Sequence, residues 1–338
     1  MEQFSWDWAL SDLKSLHRGK VFSVFSCGGG SSMGYKRAGF DVIGNVEIDA
    51  KVNACYVENL RPMYNYCEDA RVFALREDLP AELYDLDILD GSPPCTTFSM
   101  AGLREKSWGK VKKFAEGRAS QRLDDLFFVF IDIVKKLKPK VCIAENVDGL
   151  VKGNALCYAE QILLAFREAG YSTQVFLLNS RFMDTPQKRK RVFFIANRMK
   201  YGPLSLQFNR PSIPFGDIRS RESGKPAGPL YKEILNSLSV KERPRSICEA
   251  RKDGKSGGFT NPIVWDESVC PTITAKGLFF RGHDKTLFTK SDFIRVATFP
   301  RDYNFLSMNS QYICGMCVPP NMMAHIASQV WHQWLKIK

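Results

Sequence analysis

Two prolines precede a cysteine in Pro93-Pro94-Cys95, which follows the short apolar run Leu86 to Leu89. Prolines fix their own φ, so the thiol is presented rigidly at the exit of a strand, where a nucleophile would stand. A free thiol is only slightly ionised at neutral pH and needs nearby positive charge or a dipole, which the basic stretch after it can supply. Glu145-Asn146-Val147 follows a second apolar run, Val141 to Ala144. A carboxyl there is partly desolvated, its pKa is expected to rise, and it would donate as well as accept a hydrogen bond. In Gln187-Lys188-Arg189-Lys190-Arg191, extended-chain alternation points Gln187, Arg189 and Arg191 toward a base or substrate and the lysines toward phosphates. The glycine turn Gly28 to Gly30 allows a ligand close to backbone, and Glu47 is placed to accept from both hydroxyls of a ribose.

These residues need a scaffold that gathers strand ends. Val21 to Phe25, Phe40 to Val46, Asp87 to Asp90 and Val141 to Ala144 read as strands, as do 173 to 178 and 192 to 196. Met33 to Ala38, Asp124 to Leu137 and Ala159 to Ala169 read as helices, the last closed by Gly170. The alternation predicts an α/β fold with a mostly parallel sheet flanked by helices, in which ligands bind beyond the carboxyl ends of the strands. From about Asn197 to 270, Pro203, Pro211, Pro214, Pro226, Pro229, Pro244 and Pro262 punctuate weakly periodic basic segments, expected as a small loop-rich domain. A final helix is expected from about Pro320 to Leu335.

The chain has 338 residues, 44% of them hydrophobic, enough for one large domain plus a smaller one. No apolar run approaches the roughly 18 residues that span a bilayer, and Glu2, Asp7 and Asp12 do not fit a signal peptide, so no membrane association is expected. The formal charge of +12 favours a polyanion, with nucleic acid the leading partner. Ten cysteines show no disulfide framework. Cys314-x-x-Cys317 lacks a second pair, so it is read as packing and no metal is expected.

Taken together, the motifs closely resemble those of the DNA (cytosine-5) methyltransferase family, which uses S-adenosylmethionine. Phe25-Ser26-Cys27-Gly28-Gly29-Gly30 resembles its cofactor motif, Glu47 its ribose-binding acid, and Asp69-Ala70 the segment at the adenine. Pro93-Pro94-Cys95 with Phe98-Ser99 resembles the catalytic motif, Glu145-Asn146-Val147 the base-binding motif, and Gln187-x-Arg189-x-Arg191 the paired-arginine motif. Pro271-Thr272-Ile273-Thr274, Arg295-x-x-x-Phe299-Pro300 and Gly315-x-x-Val318-Pro319 follow in the family's order, which agrees from residue 21 to about 327. Three departures stand out: Thr96 where the family has Gln, Cys270 where it has Arg, and Met316 where it has Asn.

The resemblance implies a Rossmann-like methyltransferase of residues 1–196 and 308–338, a target-recognition domain over 197–290 and a hinge at 291–307. It implies Cys95, Glu145, Arg189 and Arg191 as catalytic residues, with Arg191 holding the ring oxygen and Arg189 the adjacent site or backbone. Phe25, Ser26, Cys27, Gly28, Gly30, Glu47, Ile48, Asp69, Ala70, Pro93 and Met316 are the expected cofactor contacts. The reaction it implies joins Cys95 to carbon 6 of a flipped cytosine and methylates carbon 5. The stretch Met100 to Arg122, with seven Lys or Arg against Glu105 and Glu116, is expected to close over the DNA. Arg219, Arg221, Arg243, Arg245, Arg251 and Lys252 are candidate DNA contacts. The expected partner is double-stranded DNA, bound by a monomer in the cytoplasm, at the nucleoid in a prokaryotic or phage setting, with a cognate restriction endonuclease. Alternatives are the same chemistry on tRNA, a DNA-binding protein without chemistry, and a nicotinamide oxidoreductase. The last leaves Cys95 and the paired arginines without a role.

Overall fold

The computed structural model describes residues 2–94, 126–238, 241–251 and 261–336. Cys95, Thr96, Phe98, Ser99, the stretch from Met100 to Arg122 and Lys252 lie outside the described residues. Packing divides the chain into a sheet unit, Leu13–Leu178, Lys190–Gln207 and Met323–Lys338, and a second unit, Met1–Asp12, Asn179–Arg189 and Phe208–Met322.

In the sheet unit the strands are β1 (Lys20–Val24), β2 (Asp41–Val46), β3 (Tyr64–Tyr66), β4 (Ile88–Gly91), β5 (Val141–Val147) and β6 (Ser172–Asn179). A short β7 (Gln187–Lys188) precedes β8 (Lys190–Asn197). The order is β3-β2-β1-β4-β5-β8-β6, parallel from β3 through β5, with β8 antiparallel to β5. Strand order reverses between β1 and β4, the switch point at which such sheets bind ligands.

Around the sheet lie α1 (Gly30–Arg37), α2 (Ala50–Leu60), α3 (Ala70–Leu75), α4 (Leu126–Leu137) and α5 (Leu156–Glu168). Helix α4 buries Phe127, Phe130, Ile131, Val134 and Leu137, a stripe at helical spacing, against Phe22, Val24 and Leu89 of the sheet. Gly91 must lack a side chain, because a Cβ there would stand 2.4 Å from the Phe130 ring. Asp49 caps α2 by accepting from the Lys51 and Val52 amides, and Asp69 caps α3 through the Arg71 amide.

The second unit is built from short pieces: α6 (Phe215–Ile218), α7 (Pro229–Asn236), α8 (Ile247–Ala250), β9 (Ile263–Val264), β10 (Cys270–Pro271), β11 (Phe280–Arg281), β12 (Thr286–Leu287), α9 (Lys290–Val296) and α10 (Ser310–Met316). Its organiser is Arg281, buried with Asp292 at 2.8 Å, pairing Asp284 at 3.3 Å and donating to the Glu222 and Ser220 carbonyls. Asp292 also closes a capping box with Thr289 on α9. Phe215 stacks on Phe288 at 4.7 Å beside Phe279 and Phe293.

The division by packing departs from the boundaries read in the sequence, since the first residues and the 308–322 stretch cluster with the second unit. The anchors are specific. Asn321 Nδ2 donates to the Phe4 carbonyl at 2.9 Å and the Asp184 carbonyl at 2.7 Å, and Trp8 Nε1 donates to the Thr298 carbonyl at 2.8 Å. Most of helix α9 (Lys290–Val296) lies within the expected hinge, 291–307. The last helix, α11 (Pro320–Val330), passes from one unit into the other and ends in a π-helical turn, Trp331–Leu335. Among the described residues no helix is long and apolar enough to cross a membrane, no group of side chains is arranged to hold a metal ion, and nine cysteines are free thiols.

Candidate active site

Beyond β1 the chain enters the left-handed region at Phe25 (φ 57°), Cys27 (φ 47°) and Gly29 (φ 82°), turning sharply into α1. Such a path in non-glycine residues is strained and persists only where the surroundings enforce it. Here the Ser26 amide donates to the Val46 carbonyl at 3.2 Å and the Cys27 amide to Glu47 Oε2 at 2.8 Å. Glu47 Oε1 accepts from the Asp49 amide at 2.9 Å, so the carboxylate is fixed from both sides. A Cβ on Gly29 would meet Leu60 Cδ1 at 2.5 Å. Gly28 is buried, Gly30 opens α1, and Ile48 is 42% exposed, an apolar surface beside the acid. Asp69 is held to Arg71 at 3.2 Å and Ala70 is buried beneath it. A fixed carboxylate for a diol, a bare glycine turn and an exposed apolar side chain fit an adenosine-bearing cofactor.

On the other side of the switch point, β4 delivers Gly91-Ser92-Pro93-Pro94. The Ser92 amide donates to the Val24 carbonyl at 3.3 Å, and Asn146 Nδ2 donates to the Pro93 carbonyl at 3.1 Å. The turn is therefore strapped to β1 and to β5 immediately before Cys95. Glu145 is 8% exposed, as the apolar run before it predicts. Arg191 Nε stands 2.9 Å from Glu145 Oε1. The register pairs Val147 with Arg191 and Glu145 with Phe193, so acid and arginine meet diagonally on one face of the β5–β8 ladder. Their contact is an ion pair without an aligned hydrogen bond, leaving the buried Oε1 atom with unused acceptor capacity.

Arg189 belongs to the second unit. It is 2% exposed and donates through Nη1 to the Gly315 carbonyl at 3.0 Å and the Ile273 carbonyl at 3.4 Å. Gln187 Oε1 accepts from the Ile273 amide at 3.1 Å, and Thr272 Oγ1 donates to the Lys188 carbonyl at 2.8 Å. The expected alternation is present, with Gln187 and Arg189 buried and both lysines exposed, but the buried face meets backbone. A Cβ at Gly315 would stand 2.6 Å from the Ala275 amide nitrogen, which explains the glycine. Cys270 is buried beside Gln187 in the β10–β7 pair, and Met316 is 51% exposed at the end of α10. The two motif arginines thus have separate tasks, Arg191 at Glu145 and Arg189 at the segment 273–315.

Among the candidate DNA contacts, Arg219 pairs with Asp266 at 3.4 Å and with Asp284. Arg243 pairs with Glu267 at 2.9 Å and lies 4.6 Å from the Trp265 ring centre. Arg221 and Arg245 are exposed, Arg245 at 3.4 Å from Glu249. Sequence reasoning overlooked Asp90, which is fully buried between β1 and α1, and the strap made by Asn146. A carboxyl immediately after the apolar pair Ile88-Leu89 was the available signal for the first.

Comparison with known proteins agrees with this geometry. A profile described as C-5 cytosine-specific DNA methylase matches residues 19–215. The chain is 31% identical over 354 residues to the Type II methyltransferase M.NgoPII of Neisseria gonorrhoeae, covering 92% of this chain and 95% of that protein. It is 30% identical over 354 residues to the Type II methyltransferase M.Sau96I of Staphylococcus aureus, covering 95% and 78%. A solved Escherichia coli structure titled a putative DNA modification methyltransferase encoded within a prophage shares the fold, with TM-score 0.66, 18% identity and coverage of 93% and 99%.

Proposed function

Since the chain belongs to the family of C-5 cytosine-specific DNA methylases, and is a DNA (cytosine-5-)-methyltransferase that uses S-adenosylmethionine, we propose that it works through a transient bond between Cys95 and a flipped cytosine. Carbon 5 of cytosine is a weak nucleophile. Attack of the Cys95 thiolate at carbon 6 moves the ring π electrons onto carbon 5 and makes it enamine-like. The buried Glu145 carboxyl accepts from the exocyclic amine and engages ring nitrogen 3, which offsets charge developing in the ring. Arg191, already beside that acid, orients it and offers its remaining N–H groups to the ring oxygen. Arg189 holds the segment from Ile273 to Gly315 by its backbone and takes no part in bond making.

Glu47 and the turn from Phe25 to Gly30 hold S-adenosylmethionine, with Ile48, Asp69, Ala70 and Pro93 around it. When bound, the cofactor supplies the methyl group of a sulfonium to carbon 5. Loss of the carbon 5 proton then returns electrons to the ring and expels the Cys95 thiolate. A cytosine inside a duplex hides carbon 6, so the base must leave the stack at a cost of roughly a few kcal/mol. The second unit reads the flanking sequence as a target-recognition domain, with exposed Arg221 and Arg245 supplying contacts to DNA. The protein acts as a monomer on DNA. The Type II naming of its relatives supports a cognate endonuclease that recognises the same site.

The observation that carries this reading is the buried Glu145, paired with Arg191 and adjoining the Asn146 strap on the turn that leads to Cys95. Cys95→Ser is expected to lower methyl transfer to duplex DNA by more than about 10³-fold while duplex affinity stays within a few-fold. Methylation by that variant at a rate near the native one would remove the covalent route.

A further inference from the structure

The switch point contains a carboxyl that the proposed chemistry does not use. Asp90 lies on β4 directly beside Ser23 of β1 in the parallel register. Its Oδ2 accepts from Ser23 Oγ at 2.7 Å and its Oδ1 from Tyr35 Oη of α1 at 3.1 Å. Ser23 stands two residues before the strained cofactor turn at Phe25, and Tyr35 lies on the helix that leaves that turn. Asp90 stands one residue before Gly91-Ser92-Pro93-Pro94, the turn that leads to Cys95. One side chain therefore links the base of the cofactor turn to the base of the nucleophile turn, beneath the Ser92–Val24 bond that joins them above.

We propose that Asp90 is a positioning residue, which in its ionised form holds the two turns in the alignment that methyl transfer needs and on protonation releases it. The inference rests on the assignment of Cys95 as nucleophile. The ionised carboxylate uses both oxygens as acceptors for two hydroxyl donors. The neutral acid must reverse one of those bonds, and whichever hydroxyl then accepts, Ser23 Oγ or Tyr35 Oη, must turn its own proton elsewhere. A displacement of a few tenths of an ångström at either turn is enough to slow a reaction that depends on near-attack alignment.

The surroundings place this exchange near neutral pH. Burial pushes the Asp90 carboxyl up to about 7, the Ser23 and Tyr35 hydrogen bonds pull it down, and the charge of Glu145 on β5 raises it further. Tyr56 of α2 also faces Asp90, itself held far up by burial, and Cys142 of β5 faces Tyr35, so among the described residues the groups acting on Asp90 and Tyr35 include no cation. Turnover should therefore rise as pH passes upward through about 7.

The test is the pH profile of single-turnover methylation of duplex DNA by the full chain, with S-adenosylmethionine affinity measured in parallel. Asp90→Asn is expected to lower the rate at pH above 8 by about 10-fold and to lose the limb near neutrality, with cofactor affinity within about twofold. Tyr35→Phe removes a hydrogen bond that favours the ionised form, so the limb should move to higher pH with the fold intact. A merely structural role would not shift a limb in that direction. Trapping on DNA carrying 5-fluorocytosine, which has no carbon 5 proton to lose, separates the two claims. An adduct formed by Cys95→Ser would sink the assignment of the nucleophile. An Asp90→Asn or Tyr35→Phe profile that superimposes on the native one, with the Cys95 adduct formed normally, would overturn the role of Asp90 alone.

Discussion

The sheet unit and the second unit solve the same problem, holding polar side chains where they are needed, by opposite means. In the sheet unit, regular strands place each functional group at or near a strand end: Glu47 after β2, the Pro93-Pro94 turn after β4, Glu145 two residues before the end of β5. Position follows from strand order, and the aromatic layer of Phe22, Phe73, Phe127 and Phe130 behind the sheet carries the stability. In the second unit the strands are two residues long, and a buried arginine with two aspartates does the organising. The lesson is that the chemical half tolerates change in polar detail away from its strand ends. The second unit depends on a few ionic groups that cannot be removed singly.

That contrast can be broken most severely at Arg281. Arg281→Met leaves Asp292 buried without its cation and is expected to destabilise the second unit by about 3–5 kcal/mol. Hydrogen exchange should show lost protection in residues 262–295 and unchanged protection in β1, β4 and β5. Equal loss in both units would mean that they do not fold as the contrast requires. Next in size, Glu145→Gln removes charge without volume and is expected to slow methyl transfer by about 10²-fold with S-adenosylmethionine affinity unchanged. Stopped turnover assays with separate cofactor titration would check it, and an unchanged rate would take Glu145 out of the mechanism. Smallest, Arg221→Ala with Arg245→Ala should weaken duplex binding only a few-fold and reduce the salt dependence by about one counterion per lost phosphate contact. A titration of binding against salt concentration reads this directly, and an unchanged slope would place the DNA contacts elsewhere.

The same contrast explains what was legible in the sequence. Strands β1, β2, β4, β5 and β8 were readable within a few residues because each is mostly apolar, and the runs in β2, β4 and β5 stop at Glu47, at Asp90-Gly91 and at Glu145. Helix α2 was missed although Asp49 caps it, since its buried Val52, Asn53, Cys55 and Tyr56 mix polar with apolar types and blur the period. Strand β3 is three residues long with no fully buried position, too little for any pattern. Glu145 was legible as a desolvated acid, yet its diagonal partner Arg191 depends on an antiparallel register that no local signal fixes. Arg189 was read with Arg191 as one face. The alternation was right, but the chain passes between units at Arg189 and Lys190, so neighbours on one face came to serve different ends. Asp90 was passed over because a carboxyl beside an apolar run reads as a strand end when the strand in fact continues through it to Gly91.

The central claim is that Cys95 becomes covalently joined to carbon 6 of a cytosine. Incubation of the protein with S-adenosylmethionine and a duplex carrying 5-fluorocytosine at its target position, followed by proteolysis and mass spectrometry, tests it most directly. The account predicts one cross-linked peptide, with the methylated fluorocytosine nucleotide on Cys95 and none formed by Cys95→Ser. Methylated product released without any adduct, or an adduct on another residue, would contradict it.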